Sequence, residues 1–192
     1  MMFVNPIKSE KKINEMIMRM TDEGKYREAL LFIIGINTGL RISDILKLKW
    51  GDLQRDFVVI KEQKTGKTRK IVWNQAVRDF VSEFFDQFSH DSNEYIFVSE
   101  SNRNRGKIWS RQYVWKILNE YARAVGIVEP IGTHTLRKTF GYMLYKRGTP
   151  VEYIQKLLNH SSPQITLRYI GIEQQELDNL VANLNLGVIS YV

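Results

Sequence analysis

The feature that most restricts how this chain can fold is a segment near its amino end, residues 26–37, that is mostly apolar on all sides. A helix that is hydrophobic all round has to be buried, so other elements must pack around it. Thr38-Gly39 follows the segment, and glycine tolerates the left-handed backbone that commonly ends a helix. The sequence therefore predicts a buried helix that stops just before Arg41, which starts the next helix over residues 42–48.

Two β-rich runs follow, residues 57–60 and 69–73, and the turn-forming segment Lys64-Thr65-Gly66-Lys67 separates them. This composition is typical of a hairpin tip, so Lys64 is expected on a hairpin. A short strand is predicted at residues 95–98. Helices are predicted over residues 9–20, 75–88, 110–125, 133–146, 150–158, from Ser162-Pro163 onward, and over residues 173–186. We therefore predict one mainly α domain over residues 1–192 with a small antiparallel β-hairpin, an α+β fold.

Composition narrows the class of protein. The 192 residues are 43% hydrophobic, which suffices for one core, and 28 Lys and Arg against 21 Asp and Glu favour a polyanionic partner. The absence of cysteine excludes disulfides, thiolate metal sites and a cysteine nucleophile, and it fits a cytoplasmic location. The longest apolar stretch, residues 29–34, is too short to span a bilayer, and no secretory signal opens the chain.

Five segments carry cations, imidazoles and a tyrosine, which are side chains suited to the cleavage of a phosphodiester. They are Thr38-Gly39-Leu40-Arg41-Ile42-Ser43-Asp44, Lys64-Thr65-Gly66-Lys67, His134-Thr135-Leu136-Arg137, Leu158-Asn159-His160 and Leu167-Arg168-Tyr169. Cleavage of a phosphodiester adds charge to the phosphoryl oxygens, and arginine suits them because its planar fork holds two oxygens and stays protonated. Arg41 and Arg137 lie about a hundred residues apart, so they would have to converge from different helices.

The histidines and the tyrosine add the rest of the chemistry. His134 lies three residues before Arg137, so both face one side of a helix, where an imidazole can donate to phosphate or relay a proton. A tyrosine can attack phosphorus, but its ordinary pKa near 10 requires nearby cations or an acceptor for the proton. Tyr169 follows His160 by nine residues and comes after a capped helix start, which distinguishes it from the other tyrosines.

In this order, the segments resemble the catalytic domain of the tyrosine recombinases, or phage integrases, over about residues 9–169. The resemblance implies that family's catalytic-domain fold and site-specific DNA recombination, by integration and excision or by inversion, through a covalent 3′-phosphotyrosyl intermediate. It implies no cofactor and no metal. The roles it implies are phosphate binding for Arg41 and Arg137, attack by Tyr169, a general acid in Lys64, acid–base and phosphate contacts for His134 and His160, and support of Arg41 by Asp44.

The role of general acid has alternatives to Lys64, because a register slip in the hairpin would place Lys61, Lys67 or Lys70 at its position. Sequence-independent contacts to the DNA backbone are expected from two basic segments, the hairpin and a polar loop. Their residues are Lys67, Arg69, Arg103, Arg105 and Lys107. Gly171 stands two positions after the tyrosine, where many relatives carry a polar residue, and it is expected to loosen the chain there.

Double-stranded DNA is the implied partner, with four protomers on two sites and residues 172–192 docking onto a neighbour. The apolar stripe in that segment fits docking, but also fits a helix packed on its own core; its members are Leu177, Leu180, Val181 and Leu184. The sequence also allows the chain to be a monomer when no DNA is bound. No N-terminal core-binding domain precedes Ser9, which predicts a catalytic fragment or a short recombinase. A type IB topoisomerase-like enzyme and a non-catalytic DNA-binding regulator remain alternatives.

Overall fold

The computed structural model describes residues 4–63, 66–88, 91–172, 178 and 181–184. Within them the chain forms α1 (Glu10–Asp22), α2 (Tyr26–Thr38), α3 (Ile42–Ile45), α4 (Trp50–Leu53), β1 (Phe57–Lys61), β2 (Thr68–Val72), α5 (Gln75–Glu83), α6 (Arg111–Ala124), α7 (Thr133–Lys146), α8 (Val151–Leu158) and α9 (Pro163–Ile170). The predicted mainly α fold with one small antiparallel sheet is confirmed.

Helix α2 is the centre of the domain, as its apolar surface predicts. Helices α1, α5 and α7 pack around it, and most of its side chains are buried. Gly35 allows α7 to come close, because a Cβ atom at this position would lie 2.6 Å from Leu136 Cδ1. The helix ends at Gly39, whose φ of 61° is left-handed and whose N–H donates to the Gly35 carbonyl. This ending places Arg41 in extended backbone at the start of α3.

The two strands form the predicted hairpin, with Phe57 opposite Val72 and Lys61 opposite Thr68. Side chains alternate across the hairpin, so Val58 and Ile71 are buried while Val59 and Val72 on the other face are exposed. The inner face is thereby fixed against the helical core, and the tip extends from it.

Some predicted boundaries were wrong. The helix predicted over residues 42–48 ends at Ile45, and α4 was not predicted. The strand predicted over residues 95–98 is reduced to isolated bridges at its ends, Lys49 with Tyr95 and Val98 with Ile108, because no neighbouring strand runs alongside it. The helix predicted over residues 75–88 ends at Glu83 and is followed by a 3-10 turn. The helix predicted over residues 173–186 lies largely outside the described residues.

Helices α8 and α9 form a small second layer on α7. Ile154, Leu158 and Ile170 make its buried centre. Gly141 on α7 lets α9 approach, since a Cβ atom there would lie 2.7 Å from Ile170 Cγ2. This close packing carries the last turn of α9 towards the amino end of α7. None of the described helices combines the length and the apolarity that crossing a bilayer requires.

Candidate active site

Arg41 lies at the start of α3 and faces the hairpin. Its Nη1 donates to Glu62 Oε2 at 2.6 Å, and Glu62 is only 2% exposed. Asp44 is also buried, but its Oδ1 accepts a hydrogen bond from the Gln63 backbone N–H at 3.1 Å. Glu62 therefore makes the ion pair with Arg41, while Asp44, the predicted support, holds the backbone of the neighbouring hairpin.

Arg137 connects two distant parts of the site. It is buried, and its guanidinium donates through Nη1 to the Gly39 carbonyl and through Nη2 to the Leu158 carbonyl. Burial, together with the charges of Arg41 and Arg69, lowers its pKa to about 10, so it remains a cation near neutral pH. A guanidinium has five N–H donors, so these two bonds do not use all of them. Arg137 also makes a side-chain hydrogen bond with Tyr169.

His160 follows the turn that ends α8. Asn159 caps this helix with a left-handed φ of 49°, and the His160 N–H donates to the Gln155 carbonyl at 3.0 Å. Its Nδ1 lies 3.2 Å from Thr166 Oγ1, which itself donates to the Ser162 carbonyl. Because the Thr166 hydroxyl has one hydrogen and donates it to Ser162, the hydroxyl oxygen accepts from His160 Nδ1–H. In a neutral imidazole the other nitrogen, Nε2, is then an acceptor.

The charge state of His160 is set by its surroundings. Burial lowers its pKa to about 4, and the positive charges of Arg137 and Arg41 contribute in the same direction. The imidazole is therefore neutral near neutral pH in the DNA-free protein.

Tyr169 lies in the last turn of α9. Its hydroxyl is 3.5 Å from His134 Nδ1, and its ring meets the His160 ring edge-on with centroids 4.7 Å apart. The Lys138 ammonium lies 5.2 Å from the centre of the tyrosine ring. Burial raises the pKa of Tyr169, while Arg137 and Arg41 partly oppose this shift. The phenol is therefore protonated at rest.

The chain just after Tyr169 is better anchored than the sequence predicts. Gly171 ends α9 with a left-handed φ of 77° and is buried. Its carbonyl accepts a hydrogen bond from Lys8 Nζ at 3.3 Å, so the amino-terminal segment holds the end of the helix.

Lys64 lies outside the described residues, as does Thr65. On the far side of the tip, Lys67 is exposed and its Nζ donates to Asn159 Oδ1 at 3.0 Å, which brings the hairpin beside the His160 turn. Lys61 and Lys70 alternate onto the outer face of the hairpin with Val59 and Val72. Their position argues against the alternatives to Lys64 that a register slip would create at these two lysines.

Arg69, a predicted DNA-backbone contact, makes a bond within the protein in this structure. Its position in β2 directs it to the inner face, where Nη2 donates to the Thr38 carbonyl at 2.9 Å. Burial lowers its pKa, and the charge of Arg41 adds to that effect. Arg69 therefore supports the carboxyl end of α2. Arg103, Arg105 and Lys107, in contrast, are all exposed on the loop that Val98 and Ile108 close.

Sequence reasoning missed Glu62 and Lys138, which are both buried beside the site. One feature of the sequence could have indicated Glu62, since this residue stands at the junction of β1 and the hairpin tip. Lys138 had none, because a neighbour of Arg137 on a helix is expected to face another direction.

A sequence profile of the phage integrase family matches residues 9–176, which is most of the chain. This chain belongs to the phage integrase family. It is 45% identical over 175 residues to the probable integrase/recombinase YoeC of Bacillus subtilis, and the match covers 91% of this chain and 93% of YoeC. It is also 31% identical to the tyrosine recombinase XerA of Pyrococcus furiosus, with 93% of this chain but only 61% of XerA covered.

Solved structures support the fold of this integrase family member. The crystal structure of XerA recombinase matches with a TM-score of 0.72 at 22% identity, over 97% of this chain and 67% of that one. XerH recombinase in a post-cleavage complex with its palindromic difH substrate matches with a TM-score of 0.73 at 22% identity, over 93% of this chain and 52% of that one. The catalytic-domain fold predicted from the sequence is thus confirmed.

One prediction follows from the low pKa of His160. The unfolded histidine titrates near about 6.5, whereas the folded one titrates near about 4, so the unfolded state binds the extra proton between these values. Stability should be complete above the unfolded pKa and should fall as the pH drops through this window. Urea denaturation midpoints across the window should show a flatter pH dependence for His160→Asn than for the unsubstituted chain. Equal slopes would contradict the prediction.

Proposed function

We propose that this integrase family member recombines specific sites in double-stranded DNA through a transient bond between Tyr169 and a 3′-phosphate. The observation that carries the proposal is the convergence on one hydroxyl: Tyr169 lies 3.5 Å from a nitrogen of His134. The charges of Arg137 and Arg41 also act directly on that phenol. A DNA partner fits the formal net charge of +7.

In the cleavage step, the donors of Arg41 and Arg137 that their protein partners leave free bind the non-bridging oxygens of the scissile phosphate. The Tyr169 oxygen then attacks phosphorus, and its proton passes to His134, the nearest base. As the Tyr169 O–P bond forms, the P–O5′ bond breaks, and we assign protonation of the departing 5′-oxygen to Lys64. The phosphotyrosyl bond retains the energy of the ester, so a 5′-hydroxyl can reverse the step without ATP.

His160 has a separate proposed role at the phosphate. Its Nδ1 is used by Thr166, so its bare Nε2 can only accept until the ring gains a proton. An incoming phosphate supplies the negative charge that raises the pKa of an imidazole, and the resulting imidazolium then donates to it.

The loop cations and Lys67 are proposed to contact the DNA backbone without reading sequence. Replacing Arg103, Arg105 and Lys107 together by alanine should lower the slope of log affinity against log salt by about 0.9 for each phosphate that is no longer neutralised. Adduct formation at saturating DNA should stay unchanged. Alanine at Arg123 and Lys146, exposed at the carboxyl ends of α6 and α7, is the matched control and should leave the slope as it is. An unchanged slope in the triple variant would remove the loop from the interface.

We propose that four protomers assemble on two DNA sites, with residues 172–192 docking onto a neighbour. Analytical ultracentrifugation with and without site DNA measures this directly. A complex that never exceeds two protomers on a single DNA site under conditions that give recombinants would contradict the tetramer.

A covalent capture experiment tests the function. Duplex DNA with a randomised centre and a nick, whose cleavage releases a short strand that diffuses away, is incubated with the protein and recovered under denaturing conditions. We expect recovered sequences to converge on one site. That site, placed twice on a plasmid, should give linked recombinants rather than only relaxed circles, which a topoisomerase-like enzyme would give. Binding without any recoverable adduct would favour a non-catalytic regulator.

A further inference from the structure

Glu62 is a buried carboxylate that neither the sequence pattern nor the proposed chemistry uses. It is 2% exposed, and it is the residue between β1 and the hairpin tip. We propose that Glu62 is a positioning residue for the strand-transfer reaction, which holds Arg41 and the hairpin tip in one fixed arrangement. This inference rests on the function proposed above for the same site.

The ion pair with Arg41 is the first observation. Arg41 has one guanidinium nitrogen, Nη1, 2.6 Å from the Glu62 carboxylate, and the arginine side chain is 16% exposed. A buried carboxylate is tolerated when it is paired, and the pair in turn limits the rotamers of a long arginine side chain. Because the contact engages one nitrogen, the remaining N–H groups are left at a defined angle to bind a phosphate.

The backbone of Glu62 also shapes the tip. Its N–H donates to the Lys67 carbonyl at 2.9 Å, and its carbonyl accepts from the Gly66 N–H at 2.8 Å. These bonds close the short loop that contains Lys64. One residue therefore fixes Arg41 through its side chain and the base of the Lys64 loop through its backbone.

A second carboxylate also links α3 to the hairpin, and this one belongs to α3 rather than to the hairpin. Asp44, which is 4% exposed on α3, accepts the Gln63 N–H, while Glu62 on the hairpin binds Arg41 beside α3. The reciprocal contacts restrict sliding of the hairpin relative to α3. Such sliding would separate the two groups that have to act on the same phosphate.

Electrostatics gives Glu62 a further task. Arg41 and Arg69 are close enough that the charge of Arg41 lowers the pKa of Arg69, and Glu62 is the largest influence in the opposite direction. Without the carboxylate, two neighbouring cations would repel, and Arg41 would be driven away from the half-buried Arg69. Glu62 thus sets where Arg41 lies as well as how it is oriented.

The kinetic test uses a nicked duplex of the captured site and measures adduct formation in a single turnover. Glu62→Ala should slow the step by about a hundredfold, as misplacement of a catalytic group by about 1 Å can, with DNA affinity little changed. Glu62→Gln, which can still accept the Arg41 hydrogen bond but lacks the negative charge, should recover only part of the rate. Glu28→Gln is the matched control, because Glu28 is a buried carboxylate bonded to Tyr113 instead.

A double-substitution cycle separates positioning from general destabilisation. If Glu62 acts through Arg41, Glu62→Ala should cost nothing further in a protein that already carries Arg41→Ala. Additive losses, or a Glu62→Ala protein that cleaves at the original rate, would overturn the proposal.

Rotation of the Arg41 guanidinium can be measured without any DNA cleavage. It therefore tests the positioning role of Glu62 separately from the proposed function. With ¹⁵N-labelled arginine, the DNA-free protein should show slow rotation of the Arg41 guanidinium that becomes fast in Glu62→Ala. Fast rotation in both proteins would overturn the Glu62 inference whatever the enzyme does. A slow guanidinium in a protein that forms no adduct on any DNA would instead refute the proposed function, and the positioning role would fall with it.

Discussion

Replacing Tyr169 with phenylalanine is expected to abolish the covalent protein–DNA species. The loss should reach the scale of about 10⁶-fold that follows removal of an enzyme's nucleophile, because no other described hydroxyl is placed between His134 and the two arginines. DNA affinity should remain, since the phosphate ligands are untouched. The phenyl ring also keeps its edge-on contact with His160, so thermal unfolding should change little.

A matched control comes from the carboxyl-terminal sequence. No Lys or Arg follows Arg168, so trypsin releases Tyr169 and Tyr191 in one peptide. Tyr191→Phe should form the adduct at the original rate, and fragmentation of the DNA-linked peptide should place the phosphate on Tyr169. An adduct formed by the Tyr169→Phe protein would mean that another residue is the nucleophile.

In the resting structure Tyr169, the proposed nucleophile, is protonated. Burial raises the pKa of the phenol, and the charges of Arg137 and Arg41, which are engaged with backbone carbonyls and with Glu62, only partly oppose this shift. A bound phosphate adds negative charge beside His160 and favours its protonation, while His134 is the base that we propose for the hydroxyl.

The parts of the fold that the sequence predicted are those determined by local pattern. The apolar surface of α2 and Gly39 after it were sufficient to locate the central helix and the start of α3. The Ser162-Pro163 start likewise located α9 and placed Tyr169 in its second turn. In these cases, a short-range rule and the final packing favour the same structure.

The errors occurred where long-range contacts determine the structure. The hydrogen bond between Arg69 and the Thr38 carbonyl joins residues 31 positions apart, and nothing in the sequence indicated it. The Glu62 ion pair joins residues 21 positions apart, and no periodicity in the sequence reports such a contact. Residues 95–98 have the composition of a strand, but a strand also requires a partner, which the fold does not supply along that segment.

Arg137 is where stability and chemistry depend on the same side chain. Its two hydrogen bonds span the chain between the Gly39 carbonyl, two residues before Arg41, and the Leu158 carbonyl, two residues before His160. A lysine at this position has a single ammonium in place of the planar fork, so it cannot reproduce both bonds and also bind phosphate. The cation therefore aligns the two halves of the site before any substrate arrives.

Arg137→Ala should reduce the free energy of unfolding by about 2–5 kcal/mol, since two carbonyls in the interior lose their donor at a cost of about 1–3 kcal/mol each. At saturating DNA, adduct formation should fall by about 10² to 10³-fold, the scale of losing one donor to transition-state charge. Arg137→Lys should retain more stability than alanine but little of the rate. Chemical denaturation and single-turnover cleavage measure the two effects separately.

The control for Arg137 is Arg78, whose Nε also donates to a backbone carbonyl, that of Trp73, but whose side chain is 45% exposed. Arg78→Ala should cost less than about 1 kcal/mol, because water replaces the missing donor and an exposed ion pair contributes little. Its cleavage rate should be that of the unsubstituted chain. If Arg78→Ala and Arg137→Ala destabilise equally, the buried bridge between the two halves of the site does not exist as described. If only the rate differs, Arg137 acts on the phosphate without holding the fold.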